Sequence, residues 1–193
     1  GDHRDLHSFP TRRSSDLFSI YANKGVYNAP MMVTKIEDKY GNVLANFYPE
    51  SREVITENTA FLMANLLQGV VDEGTGRRLR FRYGFKNQIG GKTGTTQNHS
   101  DGWFIGITPD LAGGVWVGAE DRSIHFQNLA NGQGASMALP IWALFMQKVY
   151  ADKSLAVPQS DFQKPNGVNH VLDCGDADRE GMTDYDSSDE IFD

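Results

Sequence analysis

Residues 92–96 bring together the side chains of this sequence that are best suited to bind an anion. If the run is a strand, successive side chains point to opposite faces, so Thr93 and Thr95 share one face and Lys92 lies on the other. The lysine supplies positive charge, the hydroxyls supply hydrogen-bond donors, and Gly94 lets a ligand backbone approach. A Lys-Thr-Gly triplet also occurs by chance in many proteins, so this interpretation depends on the elements around it.

Three short strands are predicted around this run, over residues 88–96, 102–108 and 113–119. Their short connections require antiparallel neighbours, because a parallel pair needs a long crossover. Glycine weakens a strand, and the first strand nevertheless contains Gly90 and Gly91. This composition predicts that another backbone or a ligand comes close to the first strand.

Helices are predicted before and after these strands. Thr56 is a suitable N-cap for a helix over about 57–73, and a second helix is predicted from Ala135 to about Lys153. Apolar residues at helical spacing predict the buried face of each helix. These residues are Met63, Leu66, Leu67 and Val70 on the first helix and Ala138, Ile141, Trp142, Leu144, Phe145, Val149 and Tyr150 on the second.

Upstream, residues 18–24 are predicted to be the last turns of a helix that Gly25 ends. Two strands over 32–36 and 43–47 flank turn residues at 38–42, which predicts a hairpin. The chain is therefore predicted to be α/β in content and of the α+β type, with an antiparallel sheet and covering helices.

Composition excludes several functions. The 193 residues are 39% hydrophobic and 11% aromatic, which argues against a wholly disordered chain. Residues 1–17 hold three basic and three acidic residues, 18–155 hold 13 and 12, and 156–193 hold 2 and 10. The body is thus almost neutral, so we expect no nucleic-acid partner. The basic and aromatic run at 77–86 could bind a polyanion, but a loop with arginines over a small apolar cluster is favoured.

Other chemistry-bearing residues give weak signals. Cys174 is the single cysteine, so no intrachain disulfide is possible. His125 and His170 lack partners at metal-ligand spacing, and His99 is interpreted as a turn residue, so no metal or cofactor is predicted. Asp101 is expected to orient the turn after the first strand through hydrogen bonds to backbone N–H groups. No stretch reaches the roughly 18 apolar residues of a membrane helix.

The two ends are predicted to lie outside the fold. Residues 7–17 match the translation of a common sequencing adapter, so 1–17 are interpreted as an unstructured artefact, the alternative being a flexible polar arm. On this interpretation the natural protein extends further at its N-terminus. Residues 156–193 are predicted to be a disordered acidic tail, since a calcium loop would need a glycine and a glutamate in other positions.

Several motifs together carry a family resemblance. They are residues 21–27, 69–76, 89–96, 101–109 and 114–118. In order and spacing they closely resemble the transpeptidase domain of class A penicillin-binding proteins, over roughly residues 18–150. The resemblance implies an incomplete domain of the fold that these proteins share with serine β-lactamases.

The resemblance implies roles for the strand residues. A D-alanyl-D-alanine stem peptide or a β-lactam would lie along the strand as an extra strand. Lys92 and Thr95 are the implied catalytic residues: Lys92 supplies charge and helps proton transfer, and the backbone N–H of Thr95 is one of two oxyanion-hole donors. The implied substrate-binding residues are Thr93, Gly94, Thr95 and Thr96, with the hydroxyls of Thr93 and Thr95 holding the terminal carboxylate.

The resemblance also implies parts that this sequence does not contain. The family attacks with the serine of a Ser-x-x-Lys motif and uses a Ser-x-Asn motif, and neither motif occurs in the 193 residues. We therefore expect a fragment of a peptidoglycan D,D-transpeptidase that is inactive alone. Its nucleophile, glycosyltransferase domain and membrane anchor would belong to a missing N-terminal part, and the parent would lie at the periplasmic face of the inner membrane.

Two alternatives stay open. A D,D-carboxypeptidase or a serine β-lactamase shares the Lys-Thr-Gly strand, although the Trp-Phe-Ile-Gly run at 103–106 and the glycine-rich third strand favour the transpeptidase. The other alternative is a non-catalytic binding module that kept the sheet and lost the nucleophile. Stem peptides and β-lactams are the partners expected for the favoured interpretation.

Overall fold

The computed structural model describes residues 10–168 of the chain. In chain order the elements are α1 (Pro10–Ala22), β1 (Val26–Asn28), β2 (Lys35–Glu37), β3 (Val43–Asn46), β4 (Ser51–Glu53), α2 (Glu57–Asp72), α3 (Arg78–Phe81), β5 (Gly90–Thr95), β6 (Asp101–Ile107), β7 (Ala112–Gly118), α4 (Leu129–Gly132) and α5 (Gly134–Ala151). Helices thus precede and follow the central strands, as the sequence predicts.

A three-stranded sheet in the order β5–β6–β7 positions the Lys-Thr-Gly run. Both strand pairs are antiparallel, and Thr95 on β5 lies opposite Gly102 on β6. The predicted antiparallel arrangement is confirmed. The sheet places β5 at one edge, with β6 as its single partner among the described strands.

Helix α5 covers one face of this sheet. The Trp142 side chain is 2% exposed, and its ring centroid lies 5.4 Å from that of Phe104 in an edge-on arrangement. The indole N–H donates to the carbonyl of Gly113 at 3.1 Å. The predicted buried stripe is too broad, because Ile141 and Phe145 are 50% and 59% exposed and only the Trp142 side of the helix meets the sheet.

Helix α2 begins at the predicted cap, where the backbone N–H of Thr59 donates to Thr56 Oγ1 at 3.3 Å. Its buried residues are Ala60, Ala64, Leu67 and Val71. Burial of the predicted Leu67 is confirmed, but Leu66 is 56% exposed, so the predicted face is displaced from the buried one. A Cβ atom on Gly90 would lie only 3.0 Å from Leu67 Cβ. The helix can pack this close to β5 because Gly90 carries no side chain.

Residues 26–54 form two small strand pairs, named here the hairpin lobe. Strand β1 pairs with β4 and β2 with β3, both antiparallel. The predicted hairpin is confirmed between β2 and β3. In its turn, Asp38 Oδ1 accepts the backbone N–H groups of Tyr40 and Asn42 at 2.8 and 2.9 Å.

The N-terminal part differs from the prediction. Helix α1 begins at Pro10, so residues 10–17 are helical instead of unstructured. Proline suits the start of a helix because the N–H that it lacks would have no intrahelical partner there. After the helix, Gly25 adopts φ +90°, and a Cβ atom at this position would collide with the carbonyl oxygen of Ile55. The predicted role of Gly25 as the helix stop is confirmed.

Residues 156–168 contain no helix or strand, yet they contact the body of the protein. The backbone N–H of Phe162 donates to Gln88 Oε1 at 2.8 Å, and the hydroxyl of Ser160 donates to Asp110 Oδ1 at 3.3 Å. Val168 is 5% exposed. The predicted end of the body at residue 155 is therefore too early. Cys174, His170 and the acidic run at 173–190 lie outside the described residues.

Candidate functional site

The candidate site lies along β5, whose outer edge faces no other strand within residues 10–168. At the end of the strand, the N–H of Thr96 donates to the carbonyl of Asp101 at 3.1 Å. Successive residues of an antiparallel strand direct their backbone groups to opposite edges, so those of Thr93 and Thr95 face the open edge. Strand β5 thus offers N–H donors and carbonyl acceptors to an extended ligand.

Lys92 places a positive charge at this open edge. Its ammonium group donates to the backbone carbonyl of Thr93 at 2.7 Å. The side chain is exposed, and its flexible stem lets the charge move to an anion that binds nearby. The charge predicted from the sequence is therefore present beside the backbone groups of the strand.

The hydroxyls of Thr93 and Thr95 are each held by a residue from another element. Thr93 Oγ1 lies 2.8 Å from Thr75 Oγ1, which belongs to the loop after α2. The backbone N–H of Gly134, the first residue of α5, donates to Thr95 Oγ1 at 3.1 Å. The two predicted hydroxyls thus share one face of β5, and each has a hydrogen-bond partner from another element.

Glycine is required where α5 meets the strands. A Cβ atom on Gly134 would collide with the carbonyl oxygens of Gly94 and Trp103, which lie opposite each other on β5 and β6. A Cβ atom on Gly94 would lie 3.1 Å from Trp103 Cβ. Close approach of backbone to backbone therefore brings the N-terminus of α5 to Thr95.

Thr96 is engaged differently from the other residues of the run. Its Oγ1 lies 3.0 Å from Ser100 Oγ and 3.2 Å from Asp101 Oδ2. Asp101 is 8% exposed and also accepts the indole N–H of Trp116 at 3.1 Å. The carboxylate thus orders the turn through side chains, whereas the sequence predicted bonds to backbone N–H groups. Thr96 belongs to this turn network at the end of β5.

The basic run at 77–86 is partly helical instead of a loop, and two of its arginines, Arg78 and Arg80, bind groups of the protein. Arg80 pairs with Asp72 at 2.7 Å and donates to the carbonyl of Asn87 at 2.7 Å. Leu79 between the arginines is fully buried. Arg78 Nη1 donates to the carbonyl of Ala135 and to Ser136 Oγ, both at 3.0 Å.

Sequence reasoning missed the contributions of Thr75, Arg78 and Gly134. The Gly-Thr-Gly triplet at 74–76 was a local signal for a tight turn, because glycines there allow close backbone approach. A Cβ atom on Gly74 would lie 2.9 Å from the carbonyl oxygen of Val70. Nothing local in the sequence pairs Arg78 with α5, more than 50 residues away.

The histidines do not extend the site. His99 lies in the turn after β5, where its Nδ1 is buried and has no hydrogen-bond partner among the described residues. His125 is exposed and contacts the carbonyl of Phe126. Within residues 10–168, no three His, Cys, Asp or Glu side chains cluster in a way that could hold a metal ion. None of the helices described for this chain is both long and apolar enough to cross a membrane.

Known proteins resemble most of this chain. The family described as the penicillin-binding protein transpeptidase domain matches residues 15–135. Penicillin-binding protein 1A of Aquifex aeolicus is 34% identical over 148 residues, which cover 77% of this chain and 19% of that protein. The chain thus spans about a fifth of that relative's length.

Solved structures share the fold. The crystal structure of penicillin-binding protein 1A from Haemophilus influenzae gives a TM-score of 0.69 at 22% identity, over 79% of this chain and 27% of that one. An imipenem acyl-enzyme complex of penicillin-binding protein A from M. tuberculosis gives a TM-score of 0.54 at 18% identity. The match covers 69% of this chain and 29% of that one. At these identities the likeness concerns the fold alone.

The sheet with its Lys-Thr-Gly-Thr edge strand and covering C-terminal helix is thus part of the fold of these penicillin-binding proteins. The chain belongs to the penicillin-binding protein transpeptidase domain family. The resemblance to class A penicillin-binding proteins and the mixed helix and antiparallel-sheet fold class, both predicted from the sequence, are confirmed.

Proposed function

We propose that this chain forms the Lys-Thr-Gly side of the cleft in a peptidoglycan D,D-transpeptidase. The observation that carries the proposal is the open edge of β5, where the Lys92 ammonium group contacts the strand backbone and the hydroxyls of Thr93 and Thr95 are hydrogen-bonded to residues of other elements. A D-alanyl-D-alanine stem peptide or a β-lactam would add to this edge as an extra strand. The imipenem complex of the M. tuberculosis structure supports β-lactams as ligands of this fold.

Each residue of the edge has a chemical role in the proposal. The hydroxyls of Thr93 and Thr95 donate to the terminal carboxylate of the ligand, and Lys92 stabilises its negative charge. The N–H of Thr95 faces the open edge and donates to the oxyanion that forms when the scissile carbonyl is attacked. Loss of one such donor lowers the rate of acyl transfer by roughly 100- to 1000-fold.

The attacking serine is supplied by sequence outside these 193 residues in this proposal. No serine of the chain is followed by lysine three positions later, so none has the paired base that the family uses to accept the serine proton. We place the whole enzyme outside the cytoplasmic membrane, where its stem-peptide substrate is crosslinked. Its glycosyltransferase domain and its membrane anchor would also belong to that other sequence.

A chimera tests the proposal with a nucleophile present. Residues 15–168 replace the aligned segment of the A. aeolicus protein, and covalent labelling by a fluorescent penicillin is followed with time. We expect labelling of the chimera, and a rate lower by about 100-fold in its Lys92→Ala variant. Lys86→Ala removes an exposed lysine that precedes β5 and serves as the matched control.

Two results would contradict the proposal. A folded chimera that takes up no penicillin, beside a labelled parent, would show that this chain cannot complete the site. Equal labelling of the Lys92→Ala and Lys86→Ala variants would show that β5 does not act on the ligand. Reversible ligand binding without labelling would instead support the non-catalytic binding module.

A further inference from the structure

Hydrogen bonds connect two separate elements to the two threonine hydroxyls of β5. The loop after α2 reaches Thr93 through Thr75, at 2.8 Å between their oxygens. The first residue of α5, Gly134, reaches Thr95 through its backbone N–H at 3.1 Å. The hydroxyl partners of β5 thus come from one loop and one helix terminus that are far apart in the chain.

Arg78 joins that loop to that helix terminus. It lies three residues after Thr75, and its Nη1 donates to both the carbonyl of Ala135 and Ser136 Oγ at 3.0 Å. Both acceptors directly follow Gly134 in the first turn of α5. These bonds close a ring around the two hydroxyls, named here the threonine clamp: Thr75, Arg78, Gly134, Ala135 and Ser136, with Thr93 and Thr95.

The clamp has little freedom to adjust. The turn that carries Thr75 is packed against the last turn of α2, where the N–H of Gly76 donates to the carbonyl of Val70 at 2.8 Å. On the other side, Gly134 lies so close to the β5 and β6 backbone that no Cβ atom fits. A shift of either element therefore changes the position of its threonine partner.

The clamp also orients a proton. A backbone N–H can only donate, so Thr95 Oγ1 accepts the hydrogen bond from Gly134. The hydroxyl proton of Thr95 is then left to donate elsewhere, and an anion at the open edge of β5 is a suitable acceptor. If the hydroxyl of Thr75 donates to Thr93 Oγ1, the hydroxyl proton of Thr93 is also left to donate to an anion.

We propose that Arg78 is a positioning residue that sets carboxylate selectivity at β5 by holding Thr75 and the α5 terminus in register. This inference rests on the proposed function, since it concerns the carboxylate of the same ligand. Arg78 acts through the protein groups it binds, because its guanidinium donates to Ala135 and Ser136 on α5. Loosening the clamp should weaken recognition of a ligand carboxylate more than recognition of the rest of the ligand.

The test uses the chimera described above and compares acylation by benzylpenicillin with acylation by its methyl ester. The two ligands differ in the carboxylate, so the ratio of their second-order rate constants measures carboxylate recognition. We expect Arg78→Met to lower this ratio by about tenfold, the effect of losing one to two hydrogen bonds. Arg78→Lys keeps a donor and is expected to recover part of the ratio.

Arg77→Met is the matched control, because it removes the same charge from an exposed neighbouring position. We expect it to change the ratio by less than about twofold. A purely structural role of Arg78 predicts equal losses with both ligands and an unchanged ratio, which would overturn the inference. If Arg78→Met prevents folding, Thr75→Val decides the matter, since it breaks the clamp at Thr93 and should also lower the ratio.

The two proposals fail in different ways. A wild-type chimera that neither ligand acylates contradicts the proposed function before Arg78 is considered. A wild-type chimera that prefers the carboxylate, with the same preference in folded Arg78→Met and Thr75→Val variants, contradicts only the role of the clamp.

Discussion

The three-stranded sheet and the hairpin lobe are both antiparallel, but their side chains are packed very differently. In the sheet, Phe104 and Ile107 on β6 are fully buried. In the lobe, Leu44 is 66% exposed and Tyr48 is 82% exposed. Helices α5 and α2 pack on the sheet, whereas the lobe consists of two separate two-stranded pairs.

This difference explains where precise geometry is possible. A two-stranded pair alone is marginally stable in water, because it has too little apolar surface to bury. The β5 residues are instead fixed by strand pairing, by a helix behind them and by hydrogen bonds from two further elements. A site that must hold hydroxyls in place is best supported by the rigid part of a fold.

The largest expected effect contrasts one aromatic residue from each region. Trp142→Ala removes the ring that packs on Phe104 and Phe85, and we expect it to lower the free energy of unfolding by about 3–5 kcal/mol. Phe47→Ala in the lobe, at a side chain that is 45% exposed, should cost less than about 1 kcal/mol. Urea unfolding of both variants measures the two values. Similar losses would show that the lobe is packed as firmly as the sheet.

A second contrast concerns two glycines, Gly134 at the start of α5 and Gly114 within strand β7. Gly134→Ala places a Cβ atom against the carbonyls of Gly94 and Trp103, so α5 must shift, at an expected cost of about 1–3 kcal/mol. Gly114→Ala meets only Ile105 Cγ1 at an ordinary 3.5 Å and should cost less than about 0.5 kcal/mol. Thermal unfolding compares the two. The idea that close approach fixes α5 is lost if Gly134→Ala is the milder change.

The sequence predicted the parts of the fold that depend on local signals. The cap at Thr56, the helix stop at Gly25 and the order of strands β5 to β7 each follow from residues that are neighbours in the chain. The placement of Thr93 and Thr95 on one face of β5, with Lys92 on the other, was predicted for the same reason, because alternation along one strand is sufficient to place its side chains.

The parts that the sequence did not predict depend on contacts between distant residues. The buried face of α2 could not be read from residue size, because a glycine-rich strand favours Ala60 and Ala64 over Leu66 at close range. Likewise, the bond from Arg78 to Ala135 joins residues 57 positions apart, and no periodic pattern encodes it. Such contacts follow from packing in three dimensions, which a pattern along the chain does not specify.

The third prediction tests where the packed body ends. Truncation after residue 155 removes the bonds from Ser160 to Asp110 and from Phe162 to Gln88, which precedes β5. A loss of about 1–2 kcal/mol from these contacts should lower the melting temperature by about 3–6 °C. Truncation after residue 168 keeps both contacts and is the control, with an expected shift below about 1 °C. Equal melting temperatures of the two truncated chains would show that the packed body ends at residue 155, as the sequence predicted.

The smallest expected effect is a difference in acid sensitivity between the hairpin lobe and the sheet. Hydrogen bonds from the side chain and backbone of Asn42 lower the pKa of Asp38 below its ordinary value of 3.8. A carboxyl with a pKa lowered by folding adds stability above its unfolded pKa and loses it as the pH falls through the folded pKa. Acidification below about pH 4 should therefore loosen the β2–β3 turn while the sheet stays folded.

Amide hydrogen exchange can detect this local loosening, because it reports openings that do not unfold the whole protein. The amides of Tyr40 and Asn42, which donate to Asp38, should lose protection as the pH falls, after correction for the intrinsic pH dependence of exchange. In Asp38→Asn, the acceptor no longer titrates, so this pH dependence should disappear. Loss of protection at Phe104 over the same pH range would mean that acid opens the sheet and the lobe together, and that the two regions form one cooperative unit.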